Sequence, residues 1–291
     1  MLSPRSAFRH KSLVKLLSAN ALVIQLPSAL YSVLHLSNER YFDAAAFTSF
    51  SFLIGASALL YKPRSVSWAS FIGFRKFLLF WLINCWAFRL SHQCRQRLQQ
   101  RSDNRDSRFD GIRDDKLRFF GAWLMQVLWI SAVVSPSLLF LANAPTISKS
   151  GTDSLIAGCY TMVMGYGIEM MADLQKDRFK SIPKNNGKFI DFGIWKFIEF
   201  PNYLGELLFW SGASIICYPT LCVIGRWAKC LGFLSPLYTY FQLTFVSGVN
   251  LQRRIAENRW GDDEEYWKYR QRVGMYWPRL SIVLEGLKKI F

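Results

Sequence analysis

Histidine is scarce in this chain. His10, His35 and His92 are the only three in 291 residues, and none lies beyond position 92. Histidine-rich di-iron centres and HExxH zinc sites are therefore excluded from most of the sequence, and no metal site is expected. Glycine-rich phosphate loops are missing too. No GxGxxG follows a strand and no GxxxxGK[ST] occurs, so a bound nucleotide would be held by helices and loops rather than by a Rossmann unit. The six cysteines contain no CxxC pair and lie mostly in or beside apolar stretches, which fits buried free thiols and not a disulfide framework. Charged residues make up 19% of the chain, less than the roughly one quarter usual for soluble domains. There is no internal repeat, low-complexity tract or long polar block.

Seven long apolar runs are present instead, at 16–36, 44–61, 77–90, 119–141, 154–171, 203–224 and 231–249. Several approach the ~20 residues that span a hydrocarbon core. One such run fits a buried helix, but seven do not fit a water-soluble protein. The expected fold is an all-α, multi-pass membrane bundle of about seven transmembrane helices. The formal charge of +16 raises the question of nucleic acid. Its placement answers it, because the basic residues lie between the apolar runs and at the chain ends. With seven crossings, the basic stretches 91–118 and 173–200, the tail from 251 and Arg40 fall on one side. That side carries more than twice the Lys and Arg of the other, so the positive-inside rule places the C-terminus in the cytosol. No nucleic-acid partner is expected; the partners are the bilayer and a lipid, and an endoplasmic reticulum or other organelle membrane is the expected location. The basic N-terminus, acid-free before Glu39, runs straight into apolar sequence and reads as a first membrane anchor.

Polarity changes character near Ser91. Before it the runs are simple, so 1–90 reads as supporting transmembrane helices. After it, polar groups such as Gln126, Glu169, Glu206 and Gln242 enter the apolar runs, and such groups at membrane depth tend to mark function. The working part is therefore placed at 91–291. Asp173, Lys176 and Lys180 share one face of a helix leaving an apolar run, which suits ribose hydroxyls and phosphates and equally suits a solvated helix end. Pro201 opens a helix on which Asn202, Glu206 and Trp210 recur at i, i+4 and i+8. An amide, a carboxylate and an indole on one face can hold a carboxamide and a flat ring, or can be dipole complement and interfacial aromatics. Arg105 and Arg108 stand in a loop of alternating sign. Arg89 ends an apolar run, where it either snorkels or meets a ligand. Tyr266 and Tyr269 stand in the charged tail.

The segments RDSRFDGIRDDKLRFFGAWLMQVLWI (105–130), GIEMMADLQKDRFK (167–180), GKFIDFGIWKFIEFPNYLGELLFWSG (187–212) and SPLYTYFQLTFVSGV (235–249) together resemble the steroid 5-alpha-reductase C-terminal domain family. The resemblance is to its poorly characterised membrane-protein branch, related to isoprenylcysteine carboxyl methyltransferases. It implies a seven-helix membrane fold, NADPH held from the cytosolic side, and reduction of a carbon–carbon double bond in a lipid or steroid-like substrate. By resemblance, Asn202 and Glu206 hold the nicotinamide end and Trp210 follows that motif. Asp173 and Lys180 serve the adenosine and phosphate portion, and Arg89 contacts the cofactor with Arg105 and Arg108 joining it; Lys176, on the face of Asp173 and Lys180, and Tyr266 and Tyr269 of the tail are further candidates for cofactor binding. Tyr203 is the expected proton donor beside Glu206. Two positions depart from the pattern. Trp86 stands where the steroid reductases carry a carbonyl-polarising tyrosine, which argues against a 3-keto steroid. Glu199-Phe200 replaces an Arg-His pair, which weakens the alternative of an S-adenosylmethionine-dependent methyltransferase more than it weakens a reductase. A third alternative is a catalytically impaired membrane scaffold.

Overall fold

The computed structural model of the chain describes residues 4–36, 38–60, 71–99, 105–143 and 149–279. The expected flanking charges at 62–64, 101 and 288–289 lie outside the described residues, as does the end of the second apolar run at 61. Among the described residues the protein is all-helical, with no strand. The helices are α1 (Pro4–Asn20), α2 (Leu26–Tyr31), α3 (Phe42–Leu60), α4 (Phe71–Gln99), α5 (Lys116–Ala142), α6 (Lys149–Ser181), α7 (Pro201–Ile224), α8 (Arg226–Phe241), α9 (Val249–Trp260) and α10 (Glu264–Arg272). A π-helical turn at Ala21–Gln25 joins α1 to α2, so that Lys11–Leu36 forms one long apolar helix.

Five described segments are long and apolar enough to cross a bilayer: Lys11–Leu36, Phe42–Leu60, Lys116–Ala142, Gly151–Ser181 and Pro201–Ile224. The remaining two apolar runs are helical as well. The 77–90 run lies within α4, which also carries Arg75, Lys76 and Arg89. The 231–249 run begins in α8, whose 16 residues span about 24 Å before a π-helical turn at Gln242–Val246. Among the described residues, five of the seven apolar runs thus lie in helices that are long and apolar enough to cross a bilayer.

Helix ends follow local chemistry. Asp115 caps α5 by accepting from the Leu117 and Arg118 N–H groups, and Asp263 caps α10 through the Glu265 N–H. Pro201 starts α7, where its missing N–H costs nothing. Gly225, at a φ of +142° that side chains disfavour, separates α7 from α8.

The helices form two compact units, and the chain passes from one to the other within α6, α7 and α8. The first unit comprises the chain through Cys159 together with Ser211–Tyr238. Here α3 packs on both α4 and α5. Phe50 meets Trp86 and Trp129 edge-on, and Phe42 meets Phe109 and Trp123 in the same way. Polar stitches cross between helices: Gln25 Nε2 donates to Ser49 Oγ at 2.7 Å, Ser57 to the Leu138 carbonyl at 2.9 Å, and Gln126 to the Phe42 carbonyl at 2.9 Å. Gln126, read from sequence as a polar group at depth, is in this way a buried tie between helices. At the start of α3, buried Glu39 receives Arg113 in a bidentate pair, with N···O distances of 2.9 and 2.8 Å, and also accepts from the Asp106 N–H.

The second unit comprises Tyr160–Trp210 and the chain from Thr239. It contains the C-terminal part of α6, the start of α7, α9 and α10. The connection between α6 and α7 is pinned by Trp195, which is buried and donates from Nε1 to the Ala172 carbonyl at 3.1 Å. Tyr269 of α10 donates its hydroxyl to the Trp195 carbonyl at 2.9 Å. Glu199 and Phe200 donate their N–H groups to the carbonyls of Gly274 and Met275, which fastens the segment before α7 to the segment after α10.

Candidate functional site

The second unit gathers most of the polar residues singled out from sequence. Its frame is a close crossing of α6 and α7. A Cβ on Gly205 would stand 2.6 Å from the Gly165 carbonyl oxygen and 2.6 Å from Glu169 Cβ. A Cβ on Gly165 would stand 2.5 Å from the Gly205 carbonyl oxygen. Small residues at membrane helix contacts let backbones approach in this way. One turn beyond the crossing on α6 comes Asp173, and next to Gly205 on α7 comes Glu206, flanked by Asn202 one turn earlier. The crossing therefore fixes the ends of two polar faces. Glu169 and Asp173 are both 3% exposed, an unusual depth for carboxylates in an apolar helix.

Asn202 sits in the first turn of α7, where the helix N-terminus favours negative charge. Its side-chain carbonyl oxygen is buried and has no hydrogen-bond partner among the described residues. A buried acceptor of this kind ordinarily finds a donor. Tyr203 lies parallel to Phe200, centroids 5.4 Å apart with 9° between the planes, and the Arg253 guanidinium covers the Phe200 ring at 5.8 Å. Trp210 is fully buried and meets Phe209 edge-on.

On α6 the helix does continue beyond the apolar run, to Ser181, so Asp173, Lys176 and Lys180 share a face as the spacing suggests. Their environments differ. Asp173 is buried, the Lys176 ammonium lies 5.1 Å from the Trp195 ring centroid, and Lys180 is exposed. Tyr266 and Tyr269 are inner faces of α10, packed with Phe189 and Val273. Burial raises the pKa of both hydroxyls, with the charges of Glu199 and, at Tyr269, Asp191 adding to it, so both remain protonated at neutral pH.

Two features were not visible in the sequence. Tyr276 is buried, its hydroxyl 2.9 Å from Thr244 Oγ1. Burial raises its pKa; the hydrogen bond to Thr244 opposes the shift, and the nearby Tyr240 and Glu206 charges reinforce it. It is a protonated phenol close enough to sense Glu206, and no spacing pattern around Gly274-Met275-Tyr276 signals it. The second feature is the use made of Glu199. In the sequence, Glu199-Phe200 reads as the loss of a positive charge. In the structure Glu199 takes both Nη2 of Arg253 at 2.6 Å and its Nε at 3.1 Å, with Arg270 Nε at 3.8 Å. Two guanidinium groups from α9 and α10 thus stand where the motif lacks its own cation. Glu199→Gln should lower stability by about 1–3 kcal/mol, the scale of a charge-assisted hydrogen bond lost from a mostly buried pair. Chemical denaturation of the purified protein reads this directly, and an unchanged midpoint would show that the pair contributes nothing.

The remaining sequence-derived residues belong to the first unit. Arg89 donates from Nη1 to Gln93 Oε1 at 2.9 Å, one turn on along α4. Arg108 pairs with Asp43 at 2.9 Å and with Asp106, and Arg105 is exposed on the same loop. Trp86 is fully buried between Phe50 and Trp129. No group of three or more metal-ligating side chains occurs among the described residues.

A family model described as "Protein of unknown function (DUF1295)" matches residues 35–273. No curated protein and no solved structure matches the chain.

Proposed function

The chain belongs to the family described as "Protein of unknown function (DUF1295)", and from that premise, together with the polar faces of α6 and α7, we propose that it is a membrane-embedded, NADPH-dependent reductase of a carbon–carbon double bond in a lipid substrate. The resemblance to the steroid 5-alpha-reductase C-terminal domain supplies the reaction class, and the second unit supplies residues suited to it. The observation that carries the reading is the buried Asn202 carbonyl oxygen with no partner among the described residues. A carboxamide N–H₂ of nicotinamide is the donor such an acceptor suits, and Glu206 on the same face offers a second acceptor. Asp173 suits ribose hydroxyls. Lys176 and Lys180, further along the same face of α6, suit phosphate oxygens. When bound, NADPH supplies the hydride.

The protein's own contribution is orientation and a proton. Tyr203, held flat against Phe200, is the proposed donor, with Glu206 beside it on α7. Tyr276, kept protonated by burial, is a second hydroxyl, one that the Glu206 charge also helps to keep protonated. Proton transfer from a positioned group of this kind is typically worth 10²–10⁴-fold. In this reading the seven apolar runs all cross the membrane, and the C-terminus and the second unit face the cytosol.

The test is ligand-dependent thermal stabilisation of the full chain in detergent. NADPH at about a hundredfold over its Kd should add about 2.7 kcal/mol, a rise of roughly 5–10 °C. S-adenosylmethionine should add nothing, and Asn202→Leu should abolish the NADPH effect. Stabilisation by S-adenosylmethionine alone would replace the reductase with a methyltransferase. Stabilisation by neither would leave a scaffold.

A further inference from the structure

The connection between α6 and α7, residues 182–200, joins two helices that are each long and apolar enough to cross a bilayer, so it lies at a membrane surface. Its charge is one-sided. From Asp177 to Lys196 the sequence holds five Lys and Arg against two Asp. Arg178, Lys184, Lys188 and Lys196 are exposed, and none of the four is in an ion pair among the described residues. Other exposed cations, Arg118 and Lys268 among them, do carry carboxylate partners. Large apolar side chains are exposed in the same stretch: Ile182 at 50%, and Phe192 and Phe197 at 43% each. A solvated loop accounts for the cations but gains nothing from showing these three to water.

Hydrogen bonds fix where the stretch lies along α6. The Ile194 N–H donates to Gln175 Oε1 at 3.1 Å, the Trp195 indole donates to the Ala172 carbonyl, and Phe192 packs on Phe179 with ring centroids 5.8 Å apart. The chain therefore folds back beside α6 from the level of Phe179 to that of Ala172, about 10 Å at 1.5 Å per residue. That band begins where the apolar run of α6 ends, at 171. Its height is that of a headgroup layer, roughly 5–8 Å, with a small margin. Arg178, Phe192, Lys196 and Phe197 belong to the band. Lys184 and Lys188 stand beyond the end of the helix, where the Debye length of about 10 Å at 0.1 M salt still lets a charged leaflet act on them.

We propose that the α6–α7 connection docks on the headgroups of the leaflet around it and selects anionic lipids. Arg178 and Lys196 meet lipid phosphates, Phe192 and Phe197 enter the boundary with the acyl chains, and Lys184 and Lys188 add attraction from outside. Exposed cations interleaved with exposed apolar side chains are the chemistry that holds such a surface. The docking surface uses none of the residues assigned to NADPH and is independent of the reductase reading.

Thermal melting of the full chain in mixed micelles, titrated with one lipid at a time, tests this. Phosphatidylglycerol should raise the melting temperature saturably, phosphatidylcholine should not, and high salt should abolish the difference. Lys184→Gln, Lys188→Gln and Lys196→Gln together should leave the melting temperature in phosphatidylcholine unchanged, since all three side chains are exposed and outside any ion pair. The same triple variant should weaken the response to phosphatidylglycerol about a hundredfold, at about fivefold per cation. Arginine at the same three positions should preserve the response. Glycerol phosphate, the soluble headgroup, should act only at far higher concentrations; equal potency would overturn the bilayer as the partner in favour of a soluble anion. An identical response in the triple Gln variant and the parent, or no difference between the two lipids, would overturn the proposal. Should the triple variant fail to fold, hydrogen exchange of the parent in nanodiscs decides. Slower exchange at 182–198 in phosphatidylglycerol than in phosphatidylcholine supports the docking, and equal exchange defeats it.

Discussion

Gly205→Leu is expected to prevent the second unit from forming, so that the protein is recovered only as aggregated or degraded chain. The reason lies in what a side chain there would meet. Its Cβ would fall 2.6 Å from the Gly165 carbonyl oxygen, the Glu169 backbone nitrogen and Glu169 Cβ, none of which is the free end of a flexible side chain. Relief requires α6 and α7 to separate, and separation removes the packing that positions Glu169, Asp173, Asn202 and Glu206. Alanine is the informative intermediate. It gains about 0.8–1.0 kcal/mol of helix propensity over glycine, against about 1–3 kcal/mol for overpacking a tight contact. With backbone atoms as the obstacle, overpacking wins and Gly205→Ala should be destabilising. Gly167, two residues from Gly165 on α6, meets nothing within 4 Å, so there the propensity term acts alone. Gly167→Ala should be neutral or stabilising by up to about 1 kcal/mol. Parallel denaturation of the two alanine variants gives the comparison; equal effects would show that the crossing is looser than its geometry implies.

The second large effect is expected in the first unit. Glu39→Gln removes the buried partner of Arg113, with side-chain exposures of 7% for Arg113 and 2% for Glu39 in the intact pair, and leaves it only the exposed Asp110 carboxylate at 3.2 Å. Breaking a buried pair from one side costs about 3–5 kcal/mol. The melting temperature should fall by roughly 6–20 °C. Removing both charges, as Glu39→Leu with Arg113→Met, should recover most of the loss, because the penalty belongs to the stranded guanidinium and not to the absence of attraction. The pair also sets a pH dependence. Burial pushes the Glu39 carboxyl up, but the Arg113 guanidinium and the Asp106 N–H more than reverse this and hold it below its ordinary value of 4.5. A depressed carboxyl contributes its full stability above that value and loses it as pH falls through the folded pKa. The gap between parent and Glu39→Gln should therefore be constant near neutrality and narrow below pH 4.5. A gap that widens on acidification would contradict the pairing.

The helical membrane architecture was legible because hydrophobic run length is a local property. The first, second, fourth, fifth and sixth runs correspond to helices that meet the crossing criterion. The other two lie in helices that do not meet it. The 77–90 run belongs to a helix that also includes and buries Arg75 and Lys76. Site residues were legible to the extent that they shared one helix. Asp173, Lys176 and Lys180, or Asn202 and Glu206, are related by helical period alone. Tyr276 with Thr244, and Glu199 with Arg253, are not. These pairs come from different elements, and only tertiary packing brings them together. The Gly165–Gly205 crossing is illegible for the same reason, since a glycine in an apolar run carries no sign of what lies opposite.

The backbone fastening between Glu199-Phe200 and Gly274-Met275 has a consequence for how the protein is made. Its two halves are supplied from distant parts of the chain, as is the Tyr269–Trp195 bond across 74 positions. Elements emerge from the ribosome in order, and contacts of long sequence separation close slowly. Every crossing helix is therefore synthesised before the second unit can be locked. Until the segment around Gly274 arrives, the α6–α7 connection lacks the strap that holds Trp195 and Glu199 in place. A nascent chain halted before that point should be membrane-inserted yet protease-sensitive between α6 and α7, and release of the final residues should convert it to a resistant form.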